Sequence, residues 1–198
     1  MIYLSGCIRP ELSHPMLVAM VTPDMGNRIP EGQWWAMDNA CFKDPDGFDF
    51  ERFERDLRRR MAYAGNRLLF VVTPDVPFDA DGTIRRFHEY KDGMRSLGAP
   101  VAFVTQDGMG VEDVPWGTVD GVFVGGDTDW KLGNEAAALT TEARTRGQWV
   151  HMGRVNSLKR MRRAAEMGCN SVDGTFLKYS PDHNWLRMQK WFSAMGMS

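Results

Sequence analysis

The sequence predicts a compact (β/α)8 TIM-like barrel, one domain over residues 1–198, with an irregular, helix-poor N-terminal third. Three observations predict it. Six apolar runs end abruptly in polar residues: Trp34–Asn39, Leu69–Asp75, Val101–Asp107, Val122–Asp127, Trp149–Arg154 and Ser171–Gly174. A parallel strand covered by helices on both faces is apolar throughout, and in a closed barrel the residues just past the strand ends share one rim, where active sites form. From Phe48 onward, strand-like runs alternate with helix-like ones, which requires a parallel sheet with right-handed crossovers. The total of about eight strands favours closure over an open doubly wound sheet.

The elements follow in order. Ile2–Leu4 and Met16–Val21 read as strands, joined through Pro-, Gly- and Asn-rich connections with no helical pattern. Residues 26–32 read as loop, Trp34–Met37 as a third strand and Lys43–Gly47 as a second loop. Phe50, Phe53, Leu57 and Met61 recur at helical spacing until Gly65-Asn66 stops the helix. Leu68–Val72 is the next strand, and Asp81-Gly82-Thr83 opens a helix that runs to Gly98. Val101–Val104 and Val122–Val124 are strands. Asn134 caps an Ala-rich helix ending at Gly147. Trp149–Met152 is a strand. Asn156-Ser157 caps a helix with Leu158, Met161 and Ala165 on one face, stopped by Gly168. Ser171–Asp173 is the last strand, and Asp182 or Asn184 caps a terminal amphipathic helix.

Composition narrows the function classes. A net charge of -2 excludes a polycation, so any nucleic-acid contact must rest on local positive charge. Cys7, Cys41 and Cys169 lie far apart with no CxxC pair, which predicts free, mostly buried thiols in a reducing compartment. Four scattered histidines offer no zinc spacing. The N-terminus lacks the basic start of a signal peptide, and no apolar stretch spans a bilayer. The expectation is a cytoplasmic protein with no membrane partner.

The chemistry-bearing residues stand at the strand tips. Asp38 ends an early strand and Asp173 the last one, and closure brings them to one pocket. Two carboxylates are the minimum for displacement at a sugar anomeric carbon, one attacking and one moving protons. The alternative for each is a helix cap. Asp75 and Gln106, a carboxylate and a carboxamide, match the edge of guanine. Gly125-Gly126 lets a backbone N–H approach a planar ring, or forms a plain turn. Arg154 precedes the helix N-terminus at Asn156-Ser157, a seat for phosphate. Arg58-Arg59-Arg60 and the cluster of Lys159, Arg160, Arg162 and Arg163 read as solvated helix faces. Trp34 and Trp35 read as core, with base stacking as the alternative. Trp130-Lys131 receives no role.

At these residues the chain resembles the tRNA-guanine transglycosylase superfamily, most closely the short relatives, many phage-encoded, that place 7-deazaguanines in DNA. Ala-Met-Asp38-Asn39-Ala-Cys-Phe resembles the segment holding the family's general acid/base. Val-Val-Thr-Pro-Asp75 and Phe-Val-Thr-Gln106 resemble the base-reading strands. Gly121-Val-Phe-Val-Gly125-Gly126 resembles the strand whose backbone holds the purine carbonyl, and His-Met152-Gly153 through Asp173 resembles the closing segment with the nucleophile. The resemblance implies Asp173 as nucleophile and Asp38 as acid/base. It gives Asp75, Gln106, Gly125, Gly126, Asn39, Met152 and Gly153 to the base, and Arg154 and Lys178 to nucleic-acid phosphate.

It further implies exchange of guanine for a 7-deazaguanine such as preQ0, without metal or redox cofactor. The family's C-terminal zinc site, CxCxxC with a later His, and its long tRNA-gripping region are missing, so DNA is expected as the partner, with tRNA as the alternative. Related enzymes often pair as homodimers. A hydrolytic nucleosidase or glycosylase, or a non-catalytic nucleic-acid-binding subunit, are the remaining readings.

Overall fold

The structure is a computed structural model that describes all residues except Ile8, Asp24, Asn27, Met197 and Ser198. Eight strands, β1 (Ile2–Ser5), β2 (Leu17–Val21), β3 (Trp35–Met37), β4 (Leu68–Val72), β5 (Val101–Thr105), β6 (Gly121–Val124), β7 (Trp149–Met152) and β8 (Ser171–Asp173), close into a barrel in sequence order. Every neighbouring pair is parallel, and β1 pairs with β8 so that Leu4 lies beside Asp173. The helices are α1 (Phe50–Ala64), α2 (Ala80–Ser96), α3 (Thr128–Lys131), α4 (Asn134–Thr145), α5 (Leu158–Glu166) and α6 (Pro181–Ala194). Among the described residues the β1–β2 and β2–β3 connections carry no helix, and β5–β6 only a 3₁₀ turn at Val111–Asp113. The barrel and its irregular first third therefore match the sequence expectation. Asn27, in the loop expected at 26–32, lies outside the described residues.

Alternation along the strands builds two apolar layers. Leu4, Val18, Met20, Phe70, Val72 and Val104 fill the interior. Tyr3, Trp35, Val71, Phe103, Val122 and Met152 face out toward the helices and loops. A bulge interrupts the alternation, since β3 advances from Trp35 to Met37 while β4 advances from Leu68 to Val71. Trp35 is core, as expected, whereas Trp34 stays 48% exposed.

Several caps differ from the sequence expectation. Asp79, not Asp81, caps α2, its side chain accepting from Gly82 N at 2.8 Å. Asp127 caps the short α3, an element the sequence did not announce, and α4 starts from Gly133, so Asn134 is its first helical residue rather than its cap. Ser157 caps α5 as expected, but Ala164 rather than Ala165 faces the core. Neither Asp182 nor Asn184 caps α6: Ser180 holds the cap position in a left-handed conformation, and Asn184 Nδ2 donates back to Phe176 O and Tyr179 O.

The basic run on α1 is not uniformly solvated. Arg60 is buried, paired with Asp56 at 2.7 Å, and donates to Met25 O, anchoring the helix-free β2–β3 connection. All three cysteines are free, with Cys41 and Cys169 buried. Among the described residues no helix is long and apolar enough to cross a membrane.

Candidate active site at the barrel mouth

Asp38 and Asp173 leave the C-terminal ends of β3 and β8, which are separated on the barrel wall by β1 and β2. They are not neighbours along the sheet but stand across the mouth, both at inward-facing positions of the alternation. Asp38 Oδ1 accepts from Ala40 N at 3.1 Å. Burial, joined by the negative charge of Asp173, pushes the Asp38 carboxyl up to about 7, with the Ala40 N–H offsetting part of this.

Asp173 is held from its own side. Its Oδ1 accepts from Arg154 N at 3.2 Å and lies 3.0 Å from Nε2 of His151. Gly153 stands against the same carboxylate. A Cβ there would sit 2.6 Å from the Phe123 ring and 3.4 Å from Asp173 Oδ1, so the position has no room for a side chain. Met152 departs from its expected role. It faces outward into the layer beneath the helices and is fully buried there. The strand period of two gives the inward position to His151 instead.

Asp75, Gln106, Asn39 and Gly126 are brought together, but they bind one another. Asp75 is buried and accepts from Asn39 Nδ2 at 2.8 Å and from Gln106 Nε2 at 2.6 Å. Gln106 Oε1 accepts from Gly126 N at 2.9 Å and from Phe78 N at 3.0 Å. Gly125 N donates to Thr105 O, and Gly126 takes φ +62, a conformation that favours glycine. The N–H groups expected to meet a purine carbonyl are therefore already paired. Burial pushes the Asp75 carboxyl up to about 6, opposed by the Asn39 amide and the Arg86 charge.

Three residues at the rim carry signals that sequence reasoning missed or only half saw. Phe42 and Phe78 are 58% and 50% exposed, with ring centroids 6.0 Å apart in an edge-on pair. The Arg154 guanidinium carbon lies 4.6 Å from the Phe42 centroid and 5.3 Å from that of Phe78, and the guanidinium donates to Gly126 O. Arg154 thus spans the mouth rather than pointing out to solvent. Ala40, Phe78 and Arg154 all have positive φ, at 66°, 66° and 59°. Such strain in non-glycine residues clusters at functional sites. Lys131, left without a role by its sequence, is buried and donates from Nζ to Gly153 O at 2.8 Å. Burial and the nearby Arg154 charge lower its ammonium to about 8. Lys178 lies exposed in the loop between β8 and α6.

Of two cavities, the larger lies at the starts of β2 and β3, away from the mouth, and the smaller lies beside the mouth. One of about 490 Å³ runs along the helix-free wall past Leu12, His14, Leu17 and Trp34, and one of about 300 Å³ lies between Asn39 and Phe48. Neither is lined by Asp38 or Asp173.

No family model and no curated protein matches the sequence. Among solved structures the chain is similar to a single-site variant of methylaspartate ammonia lyase from Clostridium tetanomorphum, with a TM-score of 0.46 and 15% identity. The alignment covers 82% of this chain and 41% of that one, so the chain spans about two fifths of that protein's length. At this level the likeness speaks to no activity.

Proposed function

We propose that the barrel mouth exchanges a guanine base in a nucleic acid, DNA before tRNA, for a 7-deazaguanine through a covalent glycosyl-aspartate. The observation that carries this reading is that Asp38 and Asp173 stand at inward-facing strand ends on one barrel mouth. One carboxyl is pushed up to about 7 partly by the charge of the other, and the other keeps an oxygen free of hydrogen bonds among the described residues. An acid poised near neutrality beside a carboxylate is the equipment for displacement at C1′ with retention.

The target nucleotide is flipped out of its stack, since C1′ is otherwise out of reach. Asp173 forms a bond to C1′ while the bond from C1′ to N9 breaks. The electron pair goes to N9, which takes the Asp38 proton. The incoming 7-deazaguanine then gives its N9 proton to Asp38, and its nitrogen displaces Asp173. Two inversions give net retention. Asp75 and Gln106 offer the acceptors and donors of a purine edge once their mutual bonds yield to the base. Phe42 and Phe78 present exposed π faces for a planar ring.

The test mixes the protein with radiolabelled guanine and either a guanine-containing DNA or tRNA. Label entering DNA, with a denaturant-stable protein–DNA adduct absent in Asp173→Ala, is the expected result. Label entering tRNA alone reassigns the substrate. Release of free guanine without incorporation assigns a hydrolase instead, and neither release nor adduct leaves a binding protein.

A further inference from the structure

We propose that His151, which the reaction above does not use, is a positioning residue for Asp173: a fixed Nε2–H donor that pins one carboxylate oxygen and leaves the other to attack. The proposal rests on the reading of Asp173 as nucleophile.

The His151 ring is fully buried inside the barrel, with Phe123 at 4.5 Å and Phe70 at 5.2 Å between ring centroids. Its Nδ1 lies 2.8 Å from Ser171 Oγ, and its Nε2 lies 3.0 Å from Asp173 Oδ1. The proton positions follow from the next link. Trp149 Nε1 donates to Ser171 Oγ at 2.8 Å, and an indole N–H can only donate. The serine oxygen therefore accepts there and has its own hydrogen left to place. Among the described residues its one other partner is His151 Nδ1. Ser171 is fully buried, and a buried hydroxyl without an acceptor is costly. The hydroxyl thus donates to Nδ1, and Nε2 carries the ring proton toward Asp173. Assigned from this network, the hydrogen bonds run one way: Trp149 to Ser171 to His151 to Asp173.

The chain sits on rigid elements. His151 and Ser171 face each other in the register of β7 and β8. Arg154 N adds a second donor to the same Oδ1. Asp173 Oδ2 has no hydrogen-bond partner among the described residues, so the network also chooses which oxygen meets C1′. Pairing both ring nitrogens is what any buried imidazole requires; what singles out His151 is that one of its two partners is the Asp173 carboxylate at the barrel mouth.

The test uses the full chain labelled with ¹⁵N at its four histidines. Long-range ¹H–¹⁵N NMR reads the protonation of each ring nitrogen, and the His151 signals are those lost in His151→Gln. The expected result is the Nε2–H tautomer alone, with faster solvent exchange of that proton in Asp173→Ala. In guanine exchange, His151→Leu is expected to lower kcat about 100-fold with KM for the nucleic acid unchanged, because the nucleophile loses its orientation. His151→Gln is expected to recover most of the rate, since its amide donates to Asp173 while its carbonyl accepts from Ser171. An Nδ1–H or doubly protonated ring overturns the proposal, as does a folded His151→Leu protein exchanging at the wild-type rate. A wild type that exchanges no guanine, yet keeps an Nε2–H ring whose proton is freed by Asp173→Ala, sinks the transglycosylase reading and supports the hold of His151 on Asp173.

Discussion

On the β7–β8 side of the mouth, Asp173 leaves a strand whose neighbours reach its carboxylate with N–H donors from His151 and Arg154. On the β3–β5 side, Asp38 leaves a three-residue strand after a helix-free connection, and its Oδ1 accepts from the N–H of Ala40, two residues further on. The first carboxylate is oriented by the His151 ring locked in the barrel interior and by the main-chain N–H of Arg154. The second is desolvated and pushed up to about 7. Under the proposed function the difference divides the roles: the oriented group attacks and the desolvated group moves the proton.

Removing the oriented carboxylate breaks the comparison most severely. Asp173→Ala is expected to lower base exchange more than about 10⁴-fold, the scale on which loss of a nucleophile acts, and to abolish the covalent adduct on a denaturing gel. Asp173→Asn should match it, because an amide is a poor nucleophile. Near-normal exchange of labelled guanine by either variant would show that the two carboxylates do not divide the work in this way.

The opposite side should respond to pH as well as to mutation. A general acid contributes about 10²- to 10⁴-fold, so Asp38→Asn is expected to slow adduct formation within that range. In the wild type, adduct formation should fall as pH rises through about 7, where Asp38 loses its proton. Stability has a matching sign. The folded protein holds the Asp38 proton more tightly than the unfolded chain does, so the associated stability is fully present below about pH 4 and is lost as pH rises through about 7. The difference amounts to about 4 kcal/mol above that range. Asp38→Asn should therefore raise Tm more at pH 8 than at pH 5, and an equal rise at both would deny that the carboxyl is desolvated.

A smaller effect is expected at Asp75. Asp75→Ala strands the Gln106 Nε2 donor and takes one of the Asn39 contacts, at a cost of about 1–3 kcal/mol. The loss should appear in both Tm and base affinity if the carboxylate that holds the network also meets the purine edge, as proposed. A calorimetric titration with guanine unchanged by the substitution would leave Asp75 a purely structural role.

The sequence makes the strands legible and the mouth only partly so. Each of the eight strands lies within one or two residues of its expected span, because buried parallel strands are continuous apolar runs bounded by turn residues. That same continuity hides which face each residue takes. Trp149–Met152 is apolar or aromatic on both sides, so nothing in the run tells that His151 points in and Met152 out. Only the register with β6 and β8 decides it. The pairing of Asp75 with Gln106 is equally hidden, since the sequence offers the two together to a purine edge and nothing in it shows that they bind each other. Arg154 read as a phosphate seat because the sequence cannot show a side chain reaching across to Phe42 and Phe78. Caps shifted by a residue or two wherever several Asp or Asn residues crowd a helix start, as at Asp79 and Asp81.

Lys178 offers the finest distinction between the two sides. It sits on the loop that follows Asp173 and is exposed, whereas the corresponding loop after Asp38 carries the half-open Phe42 ring. If the strand of nucleic acid enters over β8, Lys178 neutralises one phosphate, and Phe42 meets a base instead. Lys178→Ala should then weaken binding to DNA only several-fold at low salt, equally for all sequences. It should also reduce the slope of log affinity against log salt by about 1, the value for one phosphate contact. Phe42→Ala should weaken binding with no change in that slope, because stacking releases no counterions. An unchanged slope in Lys178→Ala, or a changed one in Phe42→Ala, would reverse which side of the mouth meets the backbone and which meets the base.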